Sequence, residues 1–335
     1  MQLENQNSTS PSWDEIFQEI GKQLRARTGL LTKRVLKISL PALAILFLIQ
    51  LFGRLSQFNT NPSEAFLQLQ ISSILWGSIA LVVIIVFTII FMAIFKIEEA
   101  IWLDSYFDKV NLTPEESQRI SKRLYGAWCS LQYKIFYRYY MWVILAIATL
   151  LYSWIYIIVI SDFGKSLSSE FTQILSSTLF IGGGIGIIFW VRYLKIKLSY
   201  VPFVFLDRYD ANLAGSSKFW NEFFNELNQL NVVSKGDSFK KNVMIELGGD
   251  AAMTLVEYIA RRIQIGFNVA GSALPGVAGA VVGAAGYTMT RGAAEVAHRV
   301  IMFAKLTGKC VLYRYAYKNI HGETHHINEY VYSLK

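Results

Sequence analysis

The sequence predicts an all-α, polytopic integral membrane protein, a bundle of about six membrane-embedded helices that includes a charged, glycine-rich C-terminal hairpin. Three observations lead there. Residues 65–95 include no ionisable side chain, and the second half of that stretch is almost wholly Ile, Val, Leu, Phe and Ala. At about 1.5 Å per residue such a helix runs about 46 Å, against a hydrocarbon core of about 30 Å. A helix apolar on every side belongs in lipid rather than in a water-soluble core of this size. Composition agrees, with 53% hydrophobic and 17% charged residues, where soluble domains have about 25% charged. The Lys and Arg residues behind the net charge of +8 lie beside apolar stretches rather than in one patch. That placement is a topology signal, and it argues against nucleic acid as a partner.

Residues 1–35 read as a cytoplasmic N-terminal segment. It opens with a polar run in which no basic cap precedes a short apolar stretch, so no cleaved signal peptide is expected. Ser12 and Glu15 then have the spacing of a capping box, and a helix is expected to start there. Its apolar residues Trp13, Ile16, Phe17, Ile20 and Leu24 recur at helical spacing. They suit either an anionic membrane face or the protein's own cytoplasmic helices.

The membrane domain is expected over 36–316. Its first span, 38–57, carries Pro41 in the first turn, where a missing N–H costs little, and Lys33, Arg34 and Lys37 before it place the N-terminus inside. The second span is 67–95. Thr113, Pro114, Glu115 and Glu116 mark a helix start within a basic, cytoplasmic loop, 96–138. The third span, 139–160, opens on a belt of Tyr133, Tyr137, Tyr139, Tyr140 and Trp142, as suits the headgroup level. The fourth, 171–193, holds Gly182 and Gly186 in small-xxx-small spacing, which points to close helix packing. An interfacial helix over 211–231 shows an i, i+4 apolar face of Phe219, Phe223, Leu227 and Leu230, expected on the inner membrane surface.

The hairpin, 243–314, is the most specific part of the chain. Between Val243 and Ile265 the polar residues Glu246, Asp250, Glu257, Arg261 and Gln264 fall within about 60° on a wheel at 100° per residue. A second helix carries Glu295, His298, Arg299, Lys305 and Lys309. The first stripe is mostly acid and the second mostly base. Between them 266–290 is uncharged, with Pro275 and Gly276 near its middle. An antiparallel pair turning near 275–279 sets Glu246 level with Lys309, Asp250 with Lys305, Glu257 with Arg299 and His298, and Arg261 with Glu295. An unpaired charge in lipid costs several kcal/mol, so opposite neighbours offset much of that cost. Gly276, Gly279, Gly283 and Gly286 recur at steps of 3, 4 and 3, a smooth ridge for a close partner helix. The charges either zip the hairpin, line a polar path for an ion or solute, or border an element that re-enters or inserts into the membrane. Residues 317–335 form a cytoplasmic tail.

No catalytic signature is present: no HExxH, nucleophile elbow or P-loop occurs. Cys129 and Cys310 stand alone and read as inert thiols, and His298, His325 and His326 lack a nearby ligand cluster, so no metal or cofactor is expected.

The stretch from Arg192 to Trp220, with Tyr200, Pro202, Asp207 and Ser217, is followed by the hairpin and then by Val311, Leu312, Tyr313, Arg314 and Tyr315 before Gly322 and Glu323. Over about 171–323 this pattern resembles an uncharacterised bacterial six-helix membrane family that includes the membrane domain of glycerophosphodiester phosphodiesterases. The chain departs from it in the charged hairpin, where relatives are plainly apolar. The phosphodiesterase's catalytic barrel has no counterpart here, so the resemblance implies no enzyme. The expectation is a non-enzymatic multi-pass component of a prokaryotic cytoplasmic membrane, both termini inside. Its partners would be the lipid bilayer and other membrane proteins or further copies of itself. The alternative is a channel, transporter or pore-forming effector that uses the charged hairpin.

Overall fold

Local chemistry sets where several of the helices begin. In the computed structural model, which describes residues 10–56, 94–156, 169–210, 216–233, 236–322 and 329–334, the Ser12 backbone N–H donates to Glu15 Oε2 (2.8 Å) while the Glu15 N–H donates to Ser12 Oγ (3.1 Å). Helix α1, Trp13–Ser56, starts from this reciprocal pair. Thr113 and Glu116 repeat the device at 2.7 and 3.2 Å, with Pro114 in the first turn.

All regular elements among the described residues are helical. After α1 come α2 (94–107) and α3 (Pro114–Ile135), which passes through a π-helical turn, Phe136–Tyr140, into α4 (Met141–Ile155). The remaining helices are α5 (Ser169–Lys197), α6 (Val201–Arg208), α7 (Ser217–Val233), α8 (Asp237–Ser272), α9 (Gly276–His321) and the short α10 (Glu329–Ser333).

Two stretches, Pro114–Ile155 and Ser176–Arg208, are long and apolar enough to cross a bilayer. A third, Trp13–Lys37 with Ser39–Leu51, qualifies if its 47° bend lies within one span. The expected second span, 67–95, lies outside the described residues except for its last two positions. The ion-pairing limbs of the hairpin are not among these stretches.

The chain divides into two compact units, Met1–Leu103 with Ser234–His325 and Asp104–Val233 with His326–Lys335. In the first, α1 and α8 both run along α9. The N-terminal helix and the first span are one continuous helix, so Pro41 stands inside α1 and not in a first turn. A proline there lacks an N–H and crowds the preceding turn, which accounts for a bend near Ser39. Ile16, Leu31 and Val35 bury on this coil, whereas Phe17 is 62% exposed. The N-terminal helix therefore packs on the protein's own helices through Ile16 and Ile20, whose side chain lies beside Gly308. Arg27, buried beside α2, donates to both carboxylate oxygens of Glu99 (3.2 and 3.4 Å) and lies 4.4 Å above the Trp102 ring.

In the second unit Ile120, Leu124, Trp128 and Leu131 bury one face of α3, and Trp128 meets Phe205 of α6 at 5.3 Å between ring centres. Phe219, Phe223, Leu227 and Leu230 are buried within the protein, and so are Trp220 and Phe224 beside them. That corrects the expectation that this face lies on the membrane, because α6 supplies the apolar partner that the sequence left unassigned. By contrast α4 keeps Trp142, Ile144 and Leu145 exposed, and α5 exposes Ile181, Ile188 and Phe189.

Candidate site: a charged ladder on a glycine-packed hairpin

The two faces singled out by the helical wheel meet between α8 and α9. Lys305 Nζ lies 2.9 Å from Asp250 Oδ1 and also pairs with Glu246 Oε2, while Lys309 takes the other Glu246 oxygen. Two of the four expected levels are therefore formed as charge pairs. Gly249 makes room for this arrangement: a Cβ there would collide with the Lys305 stem. Lys96 of α2 stands within electrostatic reach of Glu246, Lys305 and Lys309. Burial opposes ionisation of the Glu246 carboxyl, but Lys309 and Lys305 override it and hold its pKa down at about 2.

Toward the turn the register differs from expectation. Glu257 pairs with Arg291, at 2.9 and 3.2 Å, instead of Arg299. His298 keeps its expected neighbour, with Nε2 3.7 Å from Glu257 and 3.4 Å from the Met253 carbonyl oxygen. Arg299 is buried, turns to Glu295 on its own helix (2.8 Å), and lies 5.5 Å from the centre of the Phe95 ring. Arg261 is exposed and makes no ion pair among the described residues, so the expected Arg261–Glu295 level is not formed. The turn falls at 273–275, N-terminal to the expected 275–279.

Beyond the ladder the helices are held by contact rather than by charge. A Cβ on Gly271 would sit 2.8 Å from the Gly279 carbonyl oxygen, and one on Gly279 would strike the carbonyl oxygens of Gly271 and Leu274. Gly286 accepts the Phe267 ring. Gly283 accepts the Arg54 guanidinium, which also donates to Asn268 Oδ1. Gly276 is not part of this ridge. Its φ of +59° starts α9 after Pro275, and nothing would lie within 4 Å of a Cβ there.

In α5, Gly182 and Gly186 are exposed and open, while the neighbouring Gly183 receives Leu150 of α4. The small-residue contact is real but sits about 100° round the helix from the expected face.

No family model, curated protein or solved structure matches this chain. Among the described residues no group of three His, Cys, Asp or Glu side chains could hold a metal ion. Sequence reading missed Gly249, Gly271 and Asn268, and did not foresee the Arg54 guanidinium on Gly283. Gly271 was legible in principle, because an antiparallel turn at Pro275 sets it opposite Gly279.

Proposed function

We propose that this protein is a non-enzymatic membrane component, anchored by its apolar spans, that organises or binds partners through a rigid charged coil. The observation that carries the reading is the Lys305 ammonium shared between Glu246 and Asp250. Acid and base neutralise each other between two packed helices, which supports a structural zip more than a polar lining. The resemblance to the membrane domain of glycerophosphodiester phosphodiesterases, without their catalytic barrel, points the same way.

The charged limbs lie outside the hydrocarbon and the uncharged end enters it. Charges stop at Arg262 on α8 and resume at Arg291 on α9. Between them Val269, Val277 and Met289 are each at least 63% exposed. Residues 263–272 rise about 15 Å, half of a hydrocarbon core of about 30 Å. The glycine-packed end is thus sized to enter one leaflet. The reading includes a prokaryotic cytoplasmic membrane, and the basic residues beside the spans support having both termini inside.

The test is ion flux through proteoliposomes. A component of this kind gives flux no higher than protein-free vesicles, and Asp250→Asn lowers thermal stability. A flux that Asp250→Asn abolishes while the protein stays folded favours the channel or transporter reading instead.

A further inference from the structure

The second unit contains a cleft of about 450 Å³ where the end of α3 and the π-helical turn face α7. Its lining includes two cations, Lys134 and Arg138, and no acidic residue. Both cations are held by aromatic faces rather than by carboxylates: Lys134 Nζ is 4.7 Å from the centre of the Trp220 ring and the Arg138 guanidinium 4.4 Å from that of Phe224. Ser217 and Asn221 line the same space with side chains able to donate. Trp220 is 94% buried, and its Nε1–H has no acceptor among the described residues.

We infer that this cleft binds the phosphate of an anionic phospholipid headgroup. A phosphate oxygen would accept from Ser217 and Asn221, while Lys134 and Arg138 neutralise its charge. The first turn of α7 has no acidic residue to compete. The neighbouring surface of α4 favours lipid over free phosphate. Directly after Arg138 come Trp142, Ile144 and Leu145, 61%, 46% and 49% exposed, an apolar track on which an acyl chain can lie. The helix passes through a π turn at 136–140 here, and insertions of this kind recur at binding sites. The inference rests on α4 entering the bilayer, but not on what the charged coil of the other unit does.

The experiment uses the full chain in nanodiscs and in detergent, with retained lipid counted by native mass spectrometry. Phosphatidylglycerol is the probe, phosphatidylcholine the neutral control and inorganic phosphate the free-anion arm. The expected result is about one phosphatidylglycerol kept in preference to phosphatidylcholine. Lys134→Gln with Arg138→Gln should weaken that retention at least about tenfold. Trp220→Phe puts a smaller phenyl ring under Lys134, so it should weaken retention less, by several-fold, with the melting temperature read alongside to separate lost packing from lost binding. Arg138→Gln alone serves if the double variant fails to fold. Equal retention of both lipids, or wild-type retention in folded Trp220→Phe and Arg138→Gln variants, would overturn the inference. Displacement of the lipid by millimolar phosphate would overturn the lipid assignment. A chain that stays in nanodiscs but shows no preference separates failure of this site from failure of membrane anchoring.

Discussion

The two ends of one hairpin are held together by different physics. At the base, α8 and α9 meet through Glu246, Asp250, Lys305 and Lys309. Near the turn they meet through Gly271, Gly279 and the Phe267 ring on Gly286. Ion pairs tolerate spacing and some solvent, because long side chains reach across. Glycine contact tolerates neither bulk nor displacement and needs no water, although at Gly283 it also seats the Arg54 guanidinium. The change from one to the other along the same two helices tracks the change from a charged to an uncharged sequence, and supports placing the wet end outside lipid and the dry end within it.

The largest expected effect breaks the wet end. Glu246→Leu leaves Lys309 facing Lys305 with one carboxylate between them, and should cost about 3–5 kcal/mol, read as the unfolding free energy of the first unit in detergent. A loss under about 1 kcal/mol would mean the pairs are solvent-screened ornaments rather than fasteners.

The dry end comes next. Gly279→Ala sets a methyl group against two backbone carbonyls that have no rotamer to escape into, and about 1–3 kcal/mol of destabilisation is expected. Gly276→Ala is its control: no clash awaits it, only the positive φ, so about 1 kcal/mol is expected. Equal effects at both would erase the distinction between ridge and turn.

Acid sharpens the comparison from the other side. The Glu246 pKa is depressed in the folded protein, so its contribution is present above the ordinary carboxylate value of about 4.5 and is lost as pH falls toward about 2. Stability of the first unit, followed by circular dichroism, should decline through that window. In Glu246→Gln the decline should be smaller.

The smallest effect is expected outside the hairpin. Gly182→Ala on α5 meets nothing within 4 Å, and should be neutral or add up to about 1 kcal/mol through helix propensity. Gly183→Ala, against Leu150, should not gain stability in the same measurement.

What the sequence made legible depends on the range of the interaction. The caps at Ser12 and Thr113 depend on residues three apart and stand where the spacing set them. The Glu246–Lys309 and Asp250–Lys305 levels were legible because the wheel gives the two faces and an antiparallel turn gives the level. Glu257 pairs with Arg291 while also lying near His298, a choice among long side chains on one face on which the wheel carries no information. The apolar face of α7 was legible as a face but not as an address, since α6 and a bilayer are equally apolar to a pattern. The Lys134 and Arg138 cleft was out of reach for the same reason: α7 joins it from far along the chain.

The most direct measurement is a double-mutant cycle at the base of the hairpin, using Glu246→Gln, Lys309→Gln and the pair, with stability and proteoliposome ion flux read on all four proteins. The expected result is a coupling of at least about 1 kcal/mol and background flux throughout. Single losses that add within about 0.5 kcal/mol, together with wild-type flux that either substitution removes, would contradict it.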